Sequence, residues 1–121
     1  MTRRRIAVVV AVLLLVGLAW GMQERLQHRL IVENRSGKAV TVMRITIGGE
    51  TAVFHDIPDQ ATAESAFRIV SDDHFIVDGQ LTDGTIIRGK FGYVTNSTFG
   101  ERATFVIGRE GGIRFEQSGV Y

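Results

Sequence analysis

The chain contains no cysteine, and this absence excludes several kinds of site at once. Without cysteine there is no disulfide framework, no thiolate zinc centre, no cysteine nucleophile and no lipid-modified cysteine behind an N-terminal apolar segment. Proline is nearly absent as well, with one residue in 121, whereas glycine occurs fourteen times. With 45% hydrophobic and 22% charged residues, the composition is that of a folded, turn-rich protein.

Excess positive charge is also missing from most of the chain. The formal net charge is +1, but three of the fourteen basic residues are Arg3, Arg4 and Arg5. Beyond Met22, eleven basic residues face thirteen acidic ones. Proteins that bind nucleic acids normally carry a basic stripe that displaces counterions from phosphates. The sequence therefore predicts no nucleic-acid partner.

The N-terminal segment carries the strongest pattern in the sequence. Three arginines precede an uncharged apolar run, Ile6–Gly21. As a helix this run would be roughly 24 Å long, near the lower bound for crossing a bilayer. Trp20 stands where an aromatic belt residue would lie, and polar residues follow it as far as Arg29. The pattern predicts that residues 1–29 form a basic tail, an uncleaved signal-anchor helix and a short polar helical extension.

The arginines also predict an orientation, because positive residues stay on the cytoplasmic side of the membrane. We expect a single-pass protein of the inner (cytoplasmic) membrane, with a cytoplasmic N-terminus and a periplasmic C-terminal domain. The alternative is a signal peptide cleaved near Ala19–Gly21, which would release the domain. The state of the mature N-terminus distinguishes the two.

From Leu30 onwards the pattern changes to short β-branched and aromatic stretches separated by turn residues. We expect residues 30–121 to form one extracytoplasmic domain. No stretch there shows a sustained helical period, so helix-connected parallel sheets are not expected. Eight strands are predicted: Leu30–Glu33, Ala39–Ile47, Thr51–Ile57, Ala63–Val70, Phe75–Leu81, Thr85–Val94, Ala103–Ile107 and Ile113–Gln117.

The turns and the alternation of residues predict how these strands pair. The pairs Ser36-Gly37, Gly48-Gly49, Asp83-Gly84 and Gly111-Gly112 tolerate positive φ, so each is expected to close an antiparallel hairpin. Within the strands, one set of residues is predicted to be buried, namely Phe75, Val77, Leu81, Ile87, Phe91 and Tyr93. The fold class that fits is all-β, a single antiparallel β-sandwich of immunoglobulin-like or related type, although the cysteines and tryptophan of true immunoglobulin domains are absent.

Three segments could in principle carry chemistry. The segment Gly84–Lys90 has P-loop spacing, but Phe91 replaces the hydroxyl that would bind magnesium, so a hairpin arm is predicted. Asp72, Asp73 and His74 form a compact cluster, and His55-Asp56 is a second pair. Neither has a known ligand spacing, and Asp-Asp before a strand is common turn chemistry. We therefore predict no catalytic residues, no metal site and no cofactor.

One strand favours a protein partner. Ala39–Ile47 places Val40 and Val42 on one face and Met43, Ile45 and Ile47 on the other. Either a bulge near Arg44 reverses the phase, or one face lies in an interface. Together these observations predict a membrane-anchored, non-enzymatic interaction or accessory module, with a secreted or periplasmic binding or inhibitor protein as the alternative.

Overall fold

The computed structural model describes residues 27–95 and 99–120. The predicted signal-anchor helix over Ile6–Gly21 lies outside these residues. Within them, no helix has the length and apolar character that a bilayer span requires. They form eight strands and one short 3₁₀ turn at Arg109–Gly111: β1 His28–Asn34, β2 Val40–Ile47, β3 Glu50–Ile57, β4 Thr62–Phe67, β5 Asp73–Leu81, β6 Ile86–Val94, β7 Phe99–Ile107 and β8 Ile113–Val120.

The strands form two four-stranded sheets that face one another as a β-sandwich. Sheet I has the order β4-β1-β7-β8, and sheet II has the order β3-β2-β5-β6. All eight predicted strands are confirmed, each overlapping one observed strand. The all-β prediction is therefore correct.

The prediction of purely antiparallel pairing is wrong at one place, because β1 and β7 run parallel. Parallel neighbours need a long connection between them. Here strands β2 to β6 intervene, and they lead the chain through both sheets and back to the end at which β1 begins. No crossover helix is needed.

Three of the four predicted hairpins are confirmed. Gly48-Gly49 joins β2 to β3, Asp83-Gly84 joins β5 to β6, and Gly111-Gly112 lies between β7 and β8. Ser36-Gly37 instead lies between β1 and β2, which belong to different sheets. A turn does form at Ser36-Gly37, but it connects a strand of one sheet to a strand of the other and does not close a hairpin.

The core fills the space between the sheets. Alternation along β5 is as predicted, with Phe75, Val77 and Leu81 buried. The Phe75 and Phe105 rings meet edge to face at 5.6 Å, so that β5 of one sheet contacts β7 of the other. Burying each such side chain contributes about 1.5–3 kcal/mol. The buried apolar residues are Leu30, Val32, Val40, Met43, Ile45, Ile47, Phe54, Ile57, Phe67, Phe75, Val77, Leu81, Ile87, Val94, Ala103, Phe105 and Ile107.

A bulge explains the two apolar faces of β2. Its register against β5 shifts between Val40 and Val42. Val40 and Met43 are therefore both buried, while Val42 lies on the outer face, half-buried. A bulge was predicted near Arg44, and the structure places it three residues earlier, at Thr41.

A second irregularity corrects the prediction for Tyr93. The register of β5 against β6 shifts near Gly92, which has φ +58°. Phe91 points inward before the shift and Val94 is buried after it, so Tyr93 lies on the outer face and is 48% exposed. Glycine suits this position because a Cβ there would lie 2.6 Å from Gln117 Oε1.

The first strand begins two residues earlier than predicted. β1 starts at His28, so His28 and Arg29 are strand residues and do not belong to the predicted helical extension. The rest of that extension lies outside the described residues, apart from Gln27. We call the end of the sandwich at Gln27 and His28 the entrance end, and the opposite end, where β1 finishes at Asn34, the far end.

Candidate functional site

The cluster at Asp72–His74 lies where a bend leads into β5, and its side chains bond the backbone. Asp73 Oδ2 accepts the Gly48 N–H at 3.0 Å, and Oδ1 accepts the His74 N–H at 2.7 Å. These two bonds favour the ionised carboxylate and lower the pKa of Asp73. The His74 imidazole bonds the Gly92 carbonyl through Nδ1. The described part of the chain holds no group of three residues suited to a metal ion.

The other two sequence candidates are not brought together with this cluster. His55 is exposed on β3, and Asp56 beside it has φ +52°. The P-loop-like segment is confirmed as a hairpin arm, because Ile86–Lys90 belongs to β6 and Gly84 to the turn before it.

The outer surface of sheet II has an unusual composition, and we call it the docking face. Four of the five large apolar residues exposed in the described part of the chain lie there: Val53, Ile76, Ile86 and Tyr93. Each is about half exposed, between 47% and 54%. Single exposed apolar residues are ordinary, so the distinguishing feature of this face is that four of the five share one side of one sheet.

The same face carries an excess of positive charge. Strand pairing places Arg44 opposite Asp78, and Asp78 opposite Arg88. Lys90 follows in the next row, opposite Ile76. Arg88 and Asp78 approach to only 4.0 Å and both are well exposed, so their ion pair is weak. Three cations thus accompany two exposed carboxylates on this side of sheet II, Asp78 in the centre and Asp56 on the edge strand β3.

The outer surface of sheet I provides the contrast. Its apolar residues Ile31 and Val106 are half-buried. Its charges are balanced and partly paired, with Arg29 3.8 Å from Glu64 and Arg114 3.5 Å from Glu116. The remaining charges on its strands are one cation, Arg102, and one anion, Glu33. The two faces of the sandwich therefore differ in both exposed apolar area and charge.

The entrance end holds a buried carboxyl group. Glu101 lies on β7, where it shares the inward-facing side of the strand with Ala103 and Phe105. Its side chain is 0% exposed. Neither carboxyl oxygen accepts a well-formed hydrogen bond. Burial raises the pKa of Glu101, and the nearby Gln117 amide lowers it by a smaller amount.

His28 lies beside Glu101 on the neighbouring strand. The Glu101 N–H donates to His28 Nδ1 at 3.1 Å, and the imidazole packs on Phe67 with 5.3 Å between ring centroids. Burial, and to a lesser extent the Arg102 guanidinium, lowers the pKa of His28. Nδ1 must carry no proton to accept the Glu101 N–H.

The far end holds the opposite kind of buried polar residue. Asn34, also 0% exposed, donates from Nδ2 to the carbonyls of Lys38 at 2.7 Å, Ile57 at 3.0 Å and Pro58 at 3.2 Å. Its Oδ1 accepts the N–H and the hydroxyl of Ser36. One side chain thus ties the β1–β2 crossing to the end of β3.

Comparison with known proteins gives information about the fold but none about the function. No protein-family model matches the chain, and no curated protein matches it. The fold is similar to that of a protein from Eubacterium rectale solved by NMR, with a TM-score of 0.59. The two chains are 12% identical, and the similarity covers 76% of this chain and 88% of that one. At this identity the likeness concerns architecture alone.

Sequence reasoning missed both the docking face and the buried pair at the entrance end. The face needs strand order, which alternation does not provide. Glu101 was missed because the strand was predicted to begin at Ala103, although the spacing Glu101, Ala103, Phe105 already places the glutamate on the inner face.

Proposed function

We propose that this protein is a membrane-anchored, extracytoplasmic, non-enzymatic interaction module that docks a protein partner through the outer face of sheet II. The observation that carries the proposal is the contrast between the two sheets. Sheet II exposes Val53, Ile76, Ile86 and Tyr93 beside three cations, whereas the charges of sheet I are balanced. Tyrosine and arginine are enriched in protein interfaces.

The charge of the docking face argues for an acidic partner and against a second copy of the chain. Two copies meeting through this face would bring six cations together with four carboxylates. Like charges opposed in a desolvated interface are costly. An acidic surface with an apolar centre would instead complement Arg44 and Lys90 and cover Ile76 between them.

The anchor rests on the N-terminal pattern, with Arg3–Arg5 ahead of the apolar run Ile6–Gly21. In this arrangement the domain lies in the periplasm and its entrance end faces the membrane, since the chain enters at His28. The alternative is a periplasmic or secreted binding protein or inhibitor, released by cleavage and using the same face. Mass spectrometry of the mature N-terminus decides between them: an intact Met1 region in the membrane fraction supports the anchor.

We also propose that the sandwich is immunoglobulin-like in its centre. In immunoglobulin folds, strands B and E are neighbours in one sheet, and C, F and G follow in that order in the other. Here β1 and β4 are neighbours in sheet I, and β2, β5 and β6 follow in that order in sheet II. The C-terminal hairpin β7–β8 departs from that scheme because it lies beside β1 with β7 parallel to it.

Site-specific photo-crosslinking in the source cells tests the docking face. A photoreactive phenylalanine analogue at Ile76 should give an adduct with an acidic protein, and the same analogue at Thr104 on sheet I should not. The double substitution Arg44→Glu and Lys90→Glu should abolish the Ile76 adduct, while Arg29→Glu and Arg114→Glu on sheet I should leave it unchanged. Equal adducts from both faces, or an adduct that survives charge reversal on sheet II, would exclude the proposal.

A further inference from the structure

The entrance end has two hydrogen bonds that join the incoming chain to β7, and a third within β7 that orients the Arg102 side chain. The Glu101 N–H donates to His28 Nδ1 at 3.1 Å. The Arg102 guanidinium donates from Nη1 to the Gln27 carbonyl and, at 3.2 Å, to the Glu101 carbonyl. These contacts hold the first described residues of the chain against the start of β7, where the register against β8 also shifts between Phe99 and Arg102.

Two of the groups in this junction change charge with opposite consequences. His28 must be unprotonated at Nδ1 to accept the Glu101 N–H, and a proton there would remove the bond and place a second cation beside Arg102. Glu101 is fully buried and neither oxygen accepts a well-formed hydrogen bond, and the Gln117 amide offsets only part of the effect of burial on its pKa, so its ionised form is the costly one.

We propose that His28 and Glu101 form a proton-responsive latch, which fastens the chain entering at Gln27 to β7: it tightens when the Glu101 carboxyl takes up a proton and loosens when His28 does. Opening the latch separates His28 from β7 and brings water to the Glu101 carboxyl. The latch does not depend on the docking face, which belongs to the other sheet.

The other charged groups around the latch are already paired or bonded, so His28 and Glu101 determine how the latch responds to pH. Arg102 on β7 acts on His28. Glu50 from β3 and Arg68 after β4 line a cleft of about 300 Å³ beside His28, but they pair with one another at 2.8 Å. At this end of sheet II, Asp73 bonds backbone amides and His74 packs against the exposed Tyr93 ring. From β8, Gln117 contributes an uncharged amide.

Because their pKa values move in opposite directions, the two groups make the stability of the closed latch change with pH in opposite directions. The pKa of His28 lies below its ordinary value of 6.5, so its contribution to the closed latch is present above 6.5 and is lost as the pH falls. The pKa of Glu101 lies above its ordinary value of 4.5, so its contribution is present below 4.5 and is lost as the pH rises. A difference of one between the pKa in the closed latch and the ordinary pKa corresponds to about a tenfold change in the equilibrium constant for opening.

Amide exchange on the full chain in detergent micelles separates the two groups. Protection factors of residues 28–32 and 102–105, corrected for intrinsic exchange, are measured between the two ordinary values, pH 4.5 and 6.5. In Glu101→Gln, where only His28 titrates, protection should rise with pH. In His28→Asn, where only Glu101 titrates, protection should fall with pH. The double variant should have no slope.

His55→Asn and Glu116→Gln are matched controls at exposed positions, and both should keep the wild-type profile. Slopes of the same sign in the two single variants, or a slope that persists in the double variant, would overturn the proposal. Nitrogen NMR of the wild-type imidazole gives a check that needs no variant. The latch requires His28 to carry its proton on Nε2 near neutral pH, and a proton on Nδ1 would refute it.

Discussion

The two ends of the sandwich solve the problem of a buried polar side chain in opposite ways. At the far end, the Asn34 amide donates to three backbone carbonyls and accepts two bonds from Ser36. At the entrance end, the Glu101 carboxyl accepts no well-formed hydrogen bond. Both residues are 0% exposed and both lie in sheet I.

The far end is therefore stabilised by its buried polar side chain, whereas the entrance end is made sensitive to pH by its own. A buried polar group with all its bonds made fixes the chain around it, and removing it leaves several partners unsatisfied. A buried carboxyl without partners contributes no such bonds and costs free energy whenever it ionises. Asn34 therefore stabilises the far end, whereas Glu101 makes the entrance end sensitive to protons.

The largest expected effect is at the far end. Asn34→Ala should lower the free energy of unfolding by about 3 kcal/mol, because it removes the buried amide that bonds the Lys38, Ile57 and Pro58 carbonyls and accepts from Ser36. Urea unfolding followed by circular dichroism measures it. Arg35→Ala, next to it and exposed, should change stability by less than about 0.5 kcal/mol. Similar losses for the two variants would remove the special role of Asn34.

A smaller loss is expected on the sheet II side of the entrance end. Gly92→Ala should cost about 2 kcal/mol, because the residue has φ +58° and its Cβ would meet Gln117 and Phe115 within 2.7 Å. Gly37→Ala is the matched control, since Gly37 also has positive φ but nothing lies within 4 Å of its Cβ. It should cost about 1 kcal/mol, from the backbone strain alone. If both variants lost the same free energy of unfolding, β6 and β8 would not pack closely at Gly92.

At Glu101 a gain in stability is expected. Glu101→Leu should raise the free energy of unfolding at pH 7 by about 1 kcal/mol, since an apolar side chain replaces an unpartnered carboxyl in the interior. Glu116→Leu on the exposed side of β8 should leave it nearly unchanged. A loss of stability in Glu101→Leu would mean that the carboxyl makes a favourable contact, and the contrast with Asn34 would fail.

The smallest effect is expected at the exposed ion pair of the far end. Lys38 lies next to Asp83, and its hydrogen bond lowers the pKa of that carboxyl. The stability that this pair contributes is present above the ordinary value of 3.8 and is lost as the pH falls. Asp83→Asn should remove the salt dependence of this contribution with little change in the unfolding midpoint, as thermal unfolding at low and high salt would detect. A large shift would place more of the far end's stability in this pair than in Asn34.

Local patterns predicted most of the strands, because alternation and turn residues act within a few positions. Gly48-Gly49 and Asp83-Gly84 close hairpins as their chemistry requires. The parallel pairing of β1 with β7 was not predictable in this way, since it joins segments about 70 residues apart. Tyr93 was placed inside because the bulge at Gly92 breaks the period of two just before it.

The candidate sites were less predictable than the fold. The sequence predicted from its neighbours alone that Asp73 accepts hydrogen bonds from backbone amides, and the structure confirms this at the first residue of β5. The docking face depends on the order of four strands, and Ile76 and Arg44 lie far apart in the sequence. His28 and Glu101 are separated by 73 residues, so their hydrogen bond follows only from the parallel register.

The carbon NMR titration of the Glu101 carboxyl in the full chain tests the contrast between the two ends most directly. We expect a midpoint above the ordinary value of 4.5, with a return to that value when the chain is unfolded in urea. A midpoint at or below 4.5 in the folded chain would mean that the carboxylate is solvated or paired. That result would contradict both the buried, unpartnered state of Glu101 and the latch that depends on it.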